Sequence, residues 1–118
     1  MTIQQIADRL HELVKIGDSN TAYDELFASH AVAIEPQFKG FERVEGLDNI
    51  RKKVNAILEA VAEVKSREVS EAVLYGDRHI ALGISLDATL KDGSTFKFSE
   101  LALYEVQEGK IISEQFYY

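Results

Sequence analysis

A carboxylate and a phenol stand out on a segment that is otherwise apolar. Between Ser94 and Val106, alternate positions hold Phe96, Phe98, Glu100, Ala102, Tyr104 and Val106. On a β-strand these side chains share one face. Burial among apolar neighbours raises the pKa of a carboxyl, which suits Glu100 to act as a general base or, when protonated, as a hydrogen-bond donor. Glu100 is therefore the candidate catalytic base, and Phe98 and Tyr104 are candidate substrate-binding residues. Alternatively, Glu100 pairs with an Arg or Lys or lies at a dimer interface.

The last segment offers two sets of polar side chains. Its alternation places Ile111, Ser113, Gln115 and Tyr117 on one face and Ile112, Glu114, Phe116 and Tyr118 on the other. Gln115 and Tyr117 are neutral donors suited to a substrate carbonyl, whereas Glu114 and Tyr118 offer a carboxylate and a phenol. A one-residue shift in register exchanges the two faces, so the sequence leaves open which set lines a pocket. The aromatic residues could instead fill the core or an interface.

Glu35 and His79 are further candidates for substrate binding. Glu35 directly precedes Pro36 where a strand ends, so it lies either at a pocket mouth or in a solvated turn. His79 follows the turn at Gly76-Asp77-Arg78 and could reach into the pocket. The histidines have no i,i+4 or His-x-His spacing and no carboxylate cluster appears, so we expect no metal and no cofactor. The cations Arg51, Lys52 and Lys53 are expected on a solvated helix face.

The elements that must position these residues begin with helices. Helical spacing runs from Ile3 to Val14, where Thr2 and Gln5 form a possible capping box and Gly17 ends the helix. A second short helix is capped by residues 18–20 and runs to Phe27, with His30 marking its exit. Short strands are expected at 31–34 and 41–44, on either side of Pro36. A third helix is predicted from Leu47 to Val61.

The pattern then changes to a period of two. Turns at Gly76-Asp77, Asp92-Gly93 and Glu108-Gly109 divide residues 64–118 into four extended segments, of which the last three run over 79–91, 94–106 and from 110 onward. The order of elements predicts a single α+β domain over residues 1–118, in which a long antiparallel meander packs one face against three helices.

Composition narrows the classes of partner. The 118 residues carry a formal net charge of -7, which disfavours nucleic acid and anionic membranes. There is no Cys, and the amphipathic first segment is neither a signal peptide nor a membrane span, so we expect a cytoplasmic protein. No phosphate-binding glycine loop or nucleophile elbow is present.

Several segments resemble a known family. They are Glu35-Pro36, Glu45-Gly46-Leu47 at the start of the third helix, residues 100–106 and the closing Gly109-Lys110-Ile111-Ile112 through Tyr118. Together with the order of elements, the chain resembles SnoaL-like proteins of the nuclear-transport-factor-2-like superfamily, which includes ketosteroid isomerase and polyketide cyclases. The resemblance implies a cone-shaped half-barrel, a curved antiparallel sheet wrapped around three helices, with an internal pocket and frequent dimerisation. It implies fold more than function.

The sequence is compatible with two classes of function. The first is a pocket for a small hydrophobic carbonyl compound, with cofactor-independent isomerase, cyclase or dehydratase chemistry based on proton transfer. The second is a non-catalytic dimeric ligand-binding or scaffold protein. Leu101 and Leu103 lie on the face opposite Phe96, so both faces of the strand are apolar enough for a homodimer to cover the outer one.

Overall fold

The computed structural model describes all residues 1–118 and contains three helices and seven strands. The helices are α1 (Ile3–Ile16), α2 (Ser19–Leu26) and α3 (Leu47–Ala60). The strands are β1 (Phe27–Ile34), β2 (Arg43–Glu45), β3 (Val61–Val69), β4 (Val73–Tyr75), β5 (His79–Leu90), β6 (Thr95–Gln107) and β7 (Lys110–Tyr117).

The ends of α1 follow the predicted capping signals. Thr2 and Gln5 form the reciprocal capping box, and Gly17 ends the helix in the left-handed conformation at φ 76°. The second helix ends earlier than predicted. Phe27 is already extended, and its N–H donates to the Tyr23 carbonyl. His30 is therefore an exposed residue of β1 and does not mark the exit of α2.

The seven strands form one sheet in the order β2-β1-β7-β6-β5-β3, with β4 also paired to β5. The predicted α+β class with three helices and a curved sheet is confirmed. One pair refines it: β1 runs parallel to β7, so the sheet is mixed. The extended segment before Gly76 is split into β3 and β4. These strands pair with successive parts of β5, because β5 is long enough to span both.

The register of β5, β6 and β7 decides which side chains face the helices. One row of neighbours is Ile80, Tyr104 and Glu114, and the next is Leu82, Ala102 and Phe116. Ile84 opposite Glu100 and Leu86 opposite Phe98 continue the same face. We call this the inner face, because its members join Ile6, Leu10, Leu13 and Ile50 of the helices in one core. None of the helices is long and apolar enough to cross a membrane.

Candidate functional site

A cavity of about 260 Å³ lies between the helices and the inner face. Of its 25 lining residues 18 are hydrophobic, so an apolar ligand in the cavity would be in contact mainly with hydrophobic side chains. The remaining seven residues are Gly17, Ser19, Glu35, Lys53, Arg67, Glu100 and Glu114. The cavity therefore combines an apolar wall with three carboxyls and two cationic groups.

Glu35 and Lys53 form a buried ion pair at one end of the cavity. Glu35 follows the end of β1, and Lys53 projects from α3 with only 2% of its surface exposed. The Tyr118 hydroxyl donates to the second Glu35 oxygen at 2.7 Å. The Lys53 ammonium also lies over the rings of Phe38 and Phe116, at 5.8 and 5.2 Å from their centroids. Two partners thus hold the Glu35 carboxylate in place.

Glu100 lies on β6 and faces the same cavity without an ion-pair partner. Desolvation by burial is the main cause that raises its pKa from 4.5 to about 8. The negative charges of Glu35 and Glu114 add to the rise, and Lys53 opposes it. At neutral pH most Glu100 side chains are therefore protonated and can donate a hydrogen bond.

Glu114 on β7 is the second carboxyl without an ion-pair partner, and only 4% of its surface is exposed. Burial raises its pKa to about 7, with Lys53 opposing the rise and Glu35 adding to it. Tyr104 is its cross-strand neighbour. Burial is the largest cause that raises the pKa of this phenol well above its usual 10, and the charges of Glu114 and Glu100 raise it further. The Tyr104 phenol therefore stays neutral and can donate a hydrogen bond.

Glu100 and Glu114 together can accept and release protons near neutral pH. The charge of Glu114 contributes to the raised pKa of Glu100, so ionisation of Glu114 affects the titration of Glu100. Lys53 is already engaged by Glu35 and does not fix either of them in the charged form. Two buried carboxyls with raised pKa values in one apolar cavity can supply both an acid and a base.

The structure brings together four of the predicted site residues and leaves three outside. Glu35, Phe98, Glu100 and Tyr104 line the cavity. Three predictions need correction because the register places the residues on the outer face of the sheet: His79 pairs with Glu105, Gln115 with Leu103 and Tyr117 with Leu101. None of the three lines the cavity. The open question about the last strand is thus answered, since Glu114, Phe116 and Tyr118 line the cavity.

Lys53 was predicted to be solvated, and this is wrong. It lies on the buried stripe of α3 that also carries Ile50, Val54 and Ile57, at the i−3, i+1 and i+4 positions. The sequence contains this spacing. Because Lys53 directly follows Arg51 and Lys52, however, all three cations were assigned to one solvated face. No group of three or more His, Cys, Asp or Glu side chains is arranged to hold a metal ion.

The fold is shared with solved structures. A Mesorhizobium loti protein, provisionally described both as a SnoaL-like polyketide cyclase and as a carbohydrate phosphatase, is 33% identical and matches with a TM-score of 0.91 over 100% of both chains. A Bacillus subtilis protein provisionally described as an isomerase is 16% identical, with a TM-score of 0.78 over 99% of this chain and 88% of its own.

A third structure, from Catenulispora acidiphila, is described as having a ketosteroid isomerase-like fold in complex with trimethylamine. It is 18% identical, with a TM-score of 0.74 over 96% of this chain and 84% of its own. No curated protein matches the sequence. The profile of the SnoaL-like domain matches residues 1–118. With the whole chain matched and with a relative at 33% identity, this protein belongs to the SnoaL-like family.

Proposed function

We propose that the cavity binds a small hydrophobic molecule bearing a carbonyl group and catalyses proton transfer at the adjacent carbon without a cofactor. The observation that carries this proposal is the presence of Glu100 and Glu114, two carboxyls without an ion-pair partner, in a wall that is otherwise largely apolar. The descriptions of the relatives as a cyclase and an isomerase agree with this class of chemistry. A sugar phosphate fits less well, because the lining is mostly hydrophobic and holds more carboxyls than cationic groups.

The proposed step uses one carboxyl as the base and one as the donor. The ionised carboxylate removes a proton from the carbon beside the carbonyl, and the C–H electron pair moves into an enolate. The protonated carboxyl, aided by the Tyr104 phenol, donates a hydrogen bond to the enolate oxygen. Return of the proton to the same or a conjugated carbon restores the carbonyl and the enzyme.

Two assignments of these roles follow from the pair. In the first, Glu114 is the base and Glu100 is the protonated donor. The reverse assignment, with Glu100 as the base, is the one predicted from the sequence. Replacing each carboxyl by glutamine distinguishes the two assignments, because glutamine can donate a hydrogen bond but cannot accept the substrate proton.

The test is deuterium incorporation from D₂O into hydrophobic ketones, followed by proton NMR with wild type, Glu100→Gln and Glu114→Gln. We expect exchange with wild type, its loss when the base is replaced and a partial rate when the donor is replaced. Glu59→Gln, an exposed glutamate of α3 outside the cavity, is the matched control. Equal rates in wild type and both cavity variants would rule out this proton transfer.

The outer face of the sheet supports a second, non-catalytic candidate. Leu101 and Tyr117 are cross-strand neighbours with 47% and 45% of their surfaces exposed, and Leu103 and Val73 belong to the adjacent row. We propose that a second copy of the chain covers this patch in a homodimer that binds or presents the ligand. Light scattering of wild type and Leu101→Asp tests this: a dimer that the variant dissociates is expected, and a wild-type monomer at micromolar concentration contradicts it.

A further inference from the structure

Arg67 lies on the inner face at the edge of the sheet farthest from the Glu35–Lys53 pair. It pairs with Leu86 of β5, which pairs with Phe98 of β6, so all three side chains share the inner face. Two strand spacings separate Arg67 from Phe98, about 10 Å between Cα atoms. Along the sheet, β7, which carries Glu114, and β1, which leads to Glu35, are the first and second strands beyond β6. The cavity thus has a carboxyl end and a guanidinium end.

Arg67 is half-buried, lines the cavity and has no ion-pair partner. The carboxylate of Asp18, the residue after Gly17, accepts hydrogen bonds from the backbone and the hydroxyl of Thr21 at the start of α2. The guanidinium packs against Gly17, where any Cβ would overlap it. A planar guanidinium matches a carboxylate with two parallel hydrogen bonds, so a free one beside an apolar cavity is a ready partner for an anionic ligand group.

The charges of the cavity also orient such a ligand. The carboxyl end holds Glu35, Glu100 and Glu114 against one paired lysine, so an anionic group is disfavoured there and a neutral carbonyl is accepted. We propose that Arg67 binds a carboxylate on the ligand and that the ligand is a hydrophobic oxo acid with its carbonyl toward Glu100. This inference rests on the proposed function, since it names the class of molecule that the cavity takes.

The alternative role of Arg67 is purely structural. A cation near the C-terminal end of α1 is favoured by the helix dipole, and Gly17 belongs to that end. The two roles differ in one measurable property. A structural cation stabilises the fold whatever is bound, whereas an anchoring cation distinguishes an acid from its neutral ester.

The experiment is calorimetric titration at pH 7 with benzoylbutyrate and its methyl ester. The proteins are wild type, Arg67→Gln, Arg67→Lys and the control Lys65→Gln, which removes an exposed cation of the same strand outside the cavity. We expect wild type to prefer the acid, Arg67→Gln to bind the acid at least about tenfold more weakly with the ester unchanged, and Arg67→Lys to fall between. Lys65→Gln should bind like wild type.

The outcomes separate this inference from the proposed function. If both ligands bind and the acid-to-ester ratio is the same in wild type and Arg67→Gln, the Arg67 assignment is overturned while the carbonyl pocket stands. If neither ligand binds wild type, the proposed pocket fails and the Arg67 assignment fails with it. Because Arg67→Lys retains the cation at α1, it keeps the comparison usable should Arg67→Gln fold poorly.

Discussion

Replacing Glu114 by glutamine should change how stability depends on pH. The pKa of Glu114 rises from 4.5 to about 7 in the folded protein because the side chain is buried. A carboxyl with a raised pKa binds its proton more tightly in the folded state, so its contribution favours folding at low pH. That contribution is lost as the pH rises from about 4.5 through 7. Above this range the Glu114 carboxyl is ionised in both states, so folding buries a charged group.

The magnitude follows from the two pKa values. Each tenfold difference in proton affinity corresponds to about 1.4 kcal/mol, so the rise to about 7 corresponds to about 3 kcal/mol as an upper value. Glutamine has the same shape and no charge to bury. As the pH rises from 5 to 8, we therefore expect the free energy of unfolding of Glu114→Gln to increase by up to about 3 kcal/mol relative to that of wild type. Glu35, Lys53, Glu100 and Tyr104 face the same region and remain in both proteins.

The assay is urea unfolding of both proteins at several pH values between 5 and 8. The wild-type free energy of unfolding should fall with pH more steeply than that of the variant. Glu59→Gln on the exposed side of α3 should follow the wild-type curve. Parallel curves for wild type and Glu114→Gln would refute the reasoning, because they would mean that Glu114 ionises in the folded protein as freely as in the unfolded chain.

Two further predictions concern stability, and a third concerns the rate of proton exchange. Lys53→Met should lower the free energy of unfolding by about 3 to 5 kcal/mol, because it leaves the Glu35 charge buried and without its cation. Adding Glu35→Gln to Lys53→Met should recover much of this loss. A loss below about 1 kcal/mol in urea unfolding would contradict this prediction. Gly17→Ala and Gly40→Ala should both lower the free energy of unfolding because both glycines have positive φ, and Gly17→Ala should also displace the Arg67 guanidinium. An unfolding free energy equal to that of wild type in both variants would contradict this. The rate of ketone deuteration should be highest between about pH 7 and 8, where one carboxyl of the pair is ionised and the other protonated, and a rate independent of pH would argue against the pair.

The sequence predicted the elements that local signals define. The capping box at Thr2, the positive-φ end at Gly17 and the alternation along β6 are each encoded within a few residues, and the structure contains all three. The inward placement of Glu100 followed from that alternation. It was predictable because Phe96, Phe98, Ala102 and Tyr104 define the buried face without reference to any other strand.

The remaining site residues depend on contacts that are distant in the sequence. The orientation of β7 is fixed by its pairing with β6 and by its parallel pairing with β1, and a register shift near Ile111 breaks the alternation. The partners of Glu35, namely Lys53 and Tyr118, come from α3 and from the residue after β7. Neither contact leaves a local pattern, so the ion pair and the role of Glu114 required the folded structure.

The proton affinities of Glu100 and Glu114 are tested most directly by a carbon-13 NMR titration of protein labelled at the glutamate carboxyl carbons. Resonances are assigned by their loss in Glu100→Gln and Glu114→Gln. We predict that these two carboxyls titrate near pH 8 and pH 7, well above the ordinary value of 4.5 for a glutamate. Titration of both near the ordinary value of 4.5 would contradict the proposal of a proton-exchanging carboxyl pair in the cavity.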